Sequence, residues 1–439
     1  MNEIMSIFLL LSVPGLPLLL AFPVLRSYLP RPCYFALIPV IILVSVPVTF
    51  SIEIPWLLFA TGLGIDEISR LLLAMSVLIW VASAGLLQAS SSYSSDERII
   101  TYFMLTLAGD LGAILATDLV TFFMFSTLIG YGFYALLVAG EGEEARQSGR
   151  VYLGFMIIAD LVLFEALLIA ATMTDNLGFA AVHDALAQSP SLDLYLLMVL
   201  IGFAIKVGLW PLHLWLTLVF RSSRPALSIL LGGVPIAIGL LGMARWLPLG
   251  EITSPNLGMF MQSLGIIALF YTILSGLIRA QLRMLPAYIS IIATGIFAIA
   301  MGAGLSDTAV WNQYENLFYI FIVSFAIVFA VLVMATRWWE SKYACRITPV
   351  KQSDYLSLWF KQYWPAAINH VKSQAMFDGW YRLCAKLDFL WQKCSWNRIL
   401  KYSERSLQHW SIAITLFLLL GIIIVLIGVL SGATLNSGS

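Results

Sequence analysis

Few titratable side chains in this sequence stand in apolar surroundings: Asp110, Asp160, Glu165, Lys206 and His213. Lys206 is the only lysine in the first 341 residues, inside the run Ile201-Gly-Phe-Ala-Ile-Lys206-Val-Gly-Leu-Trp210-Pro-Leu-His213-Leu-Trp215. A charge at membrane depth costs about 2.5–3.5 kcal/mol on insertion scales, so it marks a functional site by default. Burial disfavours the ammonium form and a neighbouring carboxylate favours it. Moving such a pair together and apart would load and release a proton. A fixed ion pair joining two helices is the plainer reading. Pro211 follows five residues later, where it removes a backbone donor and breaks the helix. A charged side chain beside a broken helix is a common way to build an ion site near the midplane of a bilayer.

The carboxylates are the possible partners. Glu165 and Asp160 share one apolar run, and depth favours Glu165. Asp110 lies in the middle of an earlier run and could instead bond backbone near a helix break. His213 sits two residues after Pro211, as a proton relay or as a satisfied structural imidazole. Asp66 and Asp118 fall at the ends of apolar runs, where helix capping is expected. His183 lies between Val182 and Asp184 and reads as solvated. Arg221 and Arg224 read as basic anchors at a membrane surface. No Ser/His/Asp set, metal-ligand spacing, phosphate loop or nucleic-acid module is visible. Cys33, Cys345, Cys384 and Cys394 are scattered and lack CxxC spacing, so no cluster, zinc or other cofactor site is expected.

The elements that must hold these residues are membrane helices. The chain of 439 residues is 60% hydrophobic and 11% charged, with a mean hydropathy of +0.92. Apolar runs of about 20 residues recur, and in lipid only helices or closed barrels satisfy their backbone. The expected fold is an all-α polytopic protein of twelve spans, near residues 4–25, 33–52, 67–89, 99–116, 118–139, 151–173, 193–218, 225–247, 257–279, 283–304, 315–336 and 411–431. Residues 337–409 mix aromatic, leucine and basic side chains, as in amphipathic helices lying on a membrane surface. Arginines 26, 31, 98, 146, 150, 221, 224, 279 and 283 fall on one side, against only Arg70 and Arg245 on the other. The basic side, with 337–409, is then cytoplasmic and both termini are external. The bacterial cytoplasmic (inner) membrane is the expected location.

The run Lys206-Val-Gly-Leu-Trp-Pro211-Leu-His213-Leu-Trp215, with Arg224-Pro225-Ala-Leu-Ser228 and Gly232-Gly233-Val, resembles a known family. It is that of the antiporter-like, proton-conducting membrane subunits of respiratory complex I, Mrp-type sodium/proton antiporters and membrane-bound hydrogenases. Gly64-Ile-Asp66-Glu-Ile-Ser69, Ala116-Thr-Asp118-Leu-Val-Thr-Phe-Phe, and Leu285-Pro-Ala287-Tyr288-Ile-Ser290 with Gly295 are similar to its third, fifth and tenth helices. Phe377-Asp378-Gly-Trp-Tyr381 is loosely similar to the tail of its largest member.

The resemblance implies two inverted five-helix repeats, each with a broken helix, here a first repeat at 99–247 and a shortened second at 248–336. Residues 1–98 would precede them, and the lateral region 337–409 and a last span within 410–439 would follow. It also implies that Lys206 is a central proton carrier modulated by a glutamate. That fifth-helix glutamate falls at Phe125-Ser126-Thr127, where no carboxylate stands, and the eighth-helix lysine falls at about Ala237. Glu165 or Asp160 would then replace the missing carboxylate. The implied function is proton or cation translocation in a multi-subunit energy-coupling complex. The partners would be other membrane and peripheral subunits, docked through 337–409, and the lipid bilayer, with no nucleic acid. The membrane subunit of a two-component inorganic-carbon uptake system and a non-conducting scaffold are the alternatives.

Overall fold

A computed structural model of the chain describes residues 3–29, 31–46, 49–53, 62–88, 97–139, 142–187, 189–273 and 284–343. Its apolar runs are helical. They begin with α1 (Glu3–Leu20), α2 (Pro23–Arg26), α3 (Pro32–Phe35) and α4 (Ile38–Ser45), followed by strands β1 (Phe50–Glu53) and β2 (Gly62–Ile65). Next come α5 (Glu67–Gln88), α6 (Glu97–Leu115), α7 (Leu119–Val138), α8 (Glu143–Met173), α9 (Phe179–Leu186), α10 (Leu192–Val207) and α11 (Leu214–Ser222). The described part closes with α12 (Pro225–Leu231), a π-helical turn (Gly232–Ile236), α13 (Ala237–Trp246), α14 (Pro255–Tyr271), α15 (Leu285–Ser306) and α16 (Thr308–Tyr343). Seven helical segments among the described residues are long and apolar enough to cross a bilayer: α5, α6, α7, α8, Pro225–Trp246, α15 and the Thr308–Thr336 part of α16.

The expected span at 33–52 is not one helix. Its prolines start two short pieces, with Pro32 and Pro39 each in a first turn where their missing N–H costs nothing. Val46 precedes Pro47 and takes an extended backbone, as the proline ring requires. The chain then forms the antiparallel hairpin β1–β2, with Phe50 opposite Ile65 and Glu53 opposite Gly62. The hairpin is tied to the bundle by Asp118, whose carboxylate accepts Gly62 N–H at 2.7 Å. Asp118 also caps α7, accepting Thr121 N–H at 2.8 Å, which is the capping role expected for it. Asp66 likewise accepts Ser69 N–H at 2.5 Å in the first turn of α5.

Arg245 closes the same end of the bundle. Its guanidinium donates to the carbonyls of Ile114 at 2.8 Å and Ala116 at 3.0 Å, and to Ser69 Oγ at 2.9 Å. It thereby satisfies carbonyls that the end of α6 leaves open. His183 belongs to α9 and is not solvated. Its Nε2 meets the Arg245 carbonyl at 3.2 Å and its Nδ1 lies 3.6 Å from Glu251. Burial lowers its affinity for a proton, and Glu251 opposes that effect. At the opposite end, Arg221 reaches Glu144 at 3.4 Å and buried Arg26 donates to Thr101 at 2.7 Å.

α16 begins at Thr308, before the expected 315, and continues past 336 to Tyr343. Residues 337–343 therefore extend a helix. The remainder of the expected surface region, and the expected span 411–431, lie outside the described residues.

Candidate functional site

The break in the seventh apolar run follows from local chemistry. α10 ends at Gly208, whose φ of 67° lies in the left-handed region that glycine enters without steric cost. Leu209 N–H bonds back to the Ala204 carbonyl at 2.9 Å, closing the helix end in a Schellman motif. Residues 209–213 then run without regular helix through a cis Trp210–Pro211 bond, and α11 restarts at Leu214. Trp215 Nε1 donates across the break to the Ile205 carbonyl at 2.9 Å. That carbonyl also accepts Gly208 N–H at 3.2 Å, so the helix that follows adds a second donor to the end of α10. The next apolar run is interrupted as well, by the π-helical turn that accommodates Pro235.

Lys206 stands in the last turn of α10, one residue before the break, and is 4% exposed. Close packing holds it there. α13 approaches α10 through Gly239 and Gly242, where a Cβ would run into Val207 and Phe203. Phe122 of α7, Phe203 of α10 and Trp246 of α13 pack edge to face with centroids 5.6–6.4 Å apart.

Lys206 Nζ lies 2.7 Å from Asp160 Oδ1 of α8 and donates to Ser126 Oγ of α7 at 2.8 Å. The first contact is an ion pair by distance, although its angle is poor for a hydrogen bond. Neither Asp160 oxygen has a well-aligned donor elsewhere among the described residues. The pair is buried, and Asp160 is 8% exposed. Beside it lies a cavity of about 10 Å³ lined by Lys206, Ser126, Tyr152, Met156, Pro235 and Ile238. That volume is on the order of what one water needs. Tyr152 is fully buried against Trp215 and Phe133, and its hydroxyl lacks a hydrogen-bond partner among the described residues. Tyr152 is within electrostatic reach of Asp160.

The other sequence candidates separate into different surroundings. Glu165 does not meet Lys206: it is exposed on the outer face of α8. Five residues separate it from Asp160, which at 3.6 residues per turn rotates the two side chains apart by about 140°. Only one of them can face α10. Asp110 is fully buried but belongs to another contact, accepting Trp80 Nε1–H of α5 at 2.7 Å. Trp80 in turn stacks edge-on against Phe103. His213 is buried, and its Nε2 lies 3.3 Å from the Tyr271 hydroxyl of α14.

Ser126 and Tyr152 were not singled out by residue type, since a serine and a tyrosine in apolar helices are unremarked alone. Ser126 belongs to the stretch Phe125-Ser126-Thr127 where the resemblance puts a carboxylate, which was the available signal. Ala237, at the position of the expected eighth-helix lysine, is buried within the bundle.

A family model described as NADH:quinone oxidoreductase/Mrp antiporter, TM, matches residues 116–350. NADH-quinone oxidoreductase subunit M of Pseudomonas aeruginosa is 27% identical over 259 residues, covering 55% of this chain and 50% of that protein. Hydrogenase-4 component B of Escherichia coli K12 is 23% identical over 251 residues, covering 55% of this chain and 37% of that protein. The chain thus spans about half the length, or less, of these curated relatives.

Among solved structures, the fold is similar to a chain of the membrane-bound sulfane sulfur reductase, an archaeal respiratory membrane complex. The TM-score is 0.63 at 19% identity, over 74% of this chain and 69% of that one. It is also similar to a chain of the Mrp complex from Dietzia sp. DQ12-45-1b, with a TM-score of 0.58 at 19% identity over 74% and 60% of the two chains. The family match covers more than half of the sequence and includes the Lys206 site, and the chain belongs to the NADH:quinone oxidoreductase/Mrp antiporter transmembrane family.

Proposed function

We propose that this chain is a proton-translocating membrane subunit of a multi-subunit energy-coupling complex of the complex I, Mrp or hydrogenase type. The observation that carries the reading is the Lys206–Asp160 contact of 2.7 Å, buried beside a broken helix. Closing and opening the Lys206–Asp160 contact would load and release a proton, because an unpaired buried charge is costly. Asp160 on α8 supplies the carboxylate that the resemblance would place within Phe125-Ser126-Thr127. Ser126, the small cavity and Tyr152 offer a released proton its first step. His213 with Tyr271 forms a second polar step on the far side of the break. Asp110, tied to Trp80, holds α5 against α6 and stays off the path.

The finer architecture belongs to the same proposal. The whole chain has twelve spans, with α6 to α13 forming the first of two inverted repeats and the second repeat shortened. The arginine-rich ends of α8 and α11 face the cytoplasm of a bacterial inner membrane, and both termini face outward. Other membrane and peripheral subunits supply the driving reaction.

The test is proton uptake by proteoliposomes containing the complete complex. Wild type should pump, and Lys206→Ala and Asp160→Asn should each lower the rate at least tenfold with normal assembly. An inactive wild-type complex with its driving reaction intact would support a scaffold instead.

A further inference from the structure

Glu165 is a carboxylate on the outside of a membrane helix. α8 carries basic residues up to Arg150 and runs to Met173. At 1.5 Å per residue, Glu165 lies roughly 22 Å from the first of these and 12 Å from the second. A hydrocarbon core about 30 Å thick therefore contains it. Its neighbours on the same helical face are Ile157, Leu161, Phe164 and Leu168, exposed by 36–49%. The face continues onto α7, where Met124 and Tyr131 are exposed and Phe123 meets Phe164 with ring centroids 6.1 Å apart. The patch is apolar enough for lipid everywhere except at Glu165. Acyl chains offer a carboxylate no donor, and ionisable groups inside membranes face protein or water.

We infer that the α7–α8 face is a docking surface for a transmembrane helix of a different subunit, which presents a Lys, Arg or His side chain at the depth of Glu165. The inference rests on the multi-subunit reading above. Charge complementarity selects the occupant. A two-fold pairing of identical chains would set Glu165 against Glu165, an arrangement of like charges in a low dielectric. Among its described residues up to 341, another copy offers no accessible lysine either, because Lys206, the only one there, is buried. Tyr131 on this face is within electrostatic reach of Asp160. A cation docked here would therefore sit beside the helix that carries the Lys206–Asp160 pair.

The test uses the intact complex in its native membrane. Leu161→Cys and Leu168→Cys, with Glu165 unchanged, are cross-linked and the products are mapped by mass spectrometry. Glu165→Leu and Glu165→Gln are compared for copurification of the cross-linked subunit. Both cysteines should join one other membrane subunit, within two helical turns of a Lys, Arg or His. Glu165→Leu should reduce copurification of that subunit about tenfold at unchanged membrane levels, and Glu165→Gln should reduce it less. Cross-links to a second copy, to residues 344–439 of the same chain or to nothing would overturn the inference, as would full copurification of Glu165→Leu. Assembly is measured here and proton flux is not, so this result and the Lys206 result can fail separately.

Discussion

Lys206 Nζ has two partners of unequal kind, and removing them should have unequal effects. Loss of the Asp160 charge strands a buried cation, a change that costs about 3–5 kcal/mol unless the lysine gives up its proton. Asp160→Ala should therefore behave like Lys206→Ala in flux. Ser126→Ala removes one hydrogen bond worth about 1.5–3 kcal/mol when the donor is charged. Its flux should fall less than that of Asp160→Ala, with both measured in the same proteoliposomes. Tyr152→Phe separates transport from folding. The hydroxyl has no hydrogen-bond partner to lose among the described residues, so thermal stability should stay within about 0.5 kcal/mol of wild type. Flux should nevertheless drop severalfold if the hydroxyl takes part in the proton's first step; unchanged flux would remove Tyr152 from the path. Lys206, Pro211 and the alternative of Asp160 were legible in the sequence because charge and proline are rare in apolar runs. The choice between Asp160 and Glu165 depends on helical rotation, which depth does not encode. The relevant partner face belongs to α10, and no local pattern names it.

The broken α10–α11 element depends on one glycine and one cross-break bond. At φ 67° an alanine would enter a region disfavoured by roughly 1–2 kcal/mol. Gly208→Ala should lower the unfolding midpoint in detergent and reduce flux, because it re-aims Lys206 as well as weakening the helix end. Trp215→Phe, which removes one of the two donors to the Ile205 carbonyl and leaves Gly208 N–H, should shift the midpoint in the same direction by about 0.5–1.5 kcal/mol. The break was readable from Gly208 and Pro211, whose backbone preferences act locally. The β1–β2 hairpin was not. β1 reads as the end of the expected span 33–52 and β2 falls between two expected spans, so hydropathy alone marks neither as a strand. What fixes the hairpin is distant in sequence: the Asp118 carboxylate on Gly62 N–H. The role of Arg245 is hidden for the same reason, since it reads as a loop charge but closes the end of α6.

At the scale of the whole molecule, the described helices put one buried cation, one buried carboxylate and a broken helix at one place, and leave a second carboxylate on the outer face. The inner arrangement suits a proton that is held and released, and the outer one suits assembly. Recurrent apolar runs and the Lys206 motif made the membrane class and the family legible from sequence. The placement of Glu165 outside needed the packed bundle, because inside and outside differ by rotation about α8 and not by hydrophobicity. The most direct measurement is proton translocation by the complete complex in proteoliposomes, comparing wild type with Asp160→Asn and Glu165→Gln, each normalised to assembled complex. Asp160→Asn should lose at least nine-tenths of the rate while Glu165→Gln keeps most of it. The reverse order, or an Asp160→Asn complex that pumps like wild type, would contradict the assignment of Asp160 as the partner that controls the proton on Lys206.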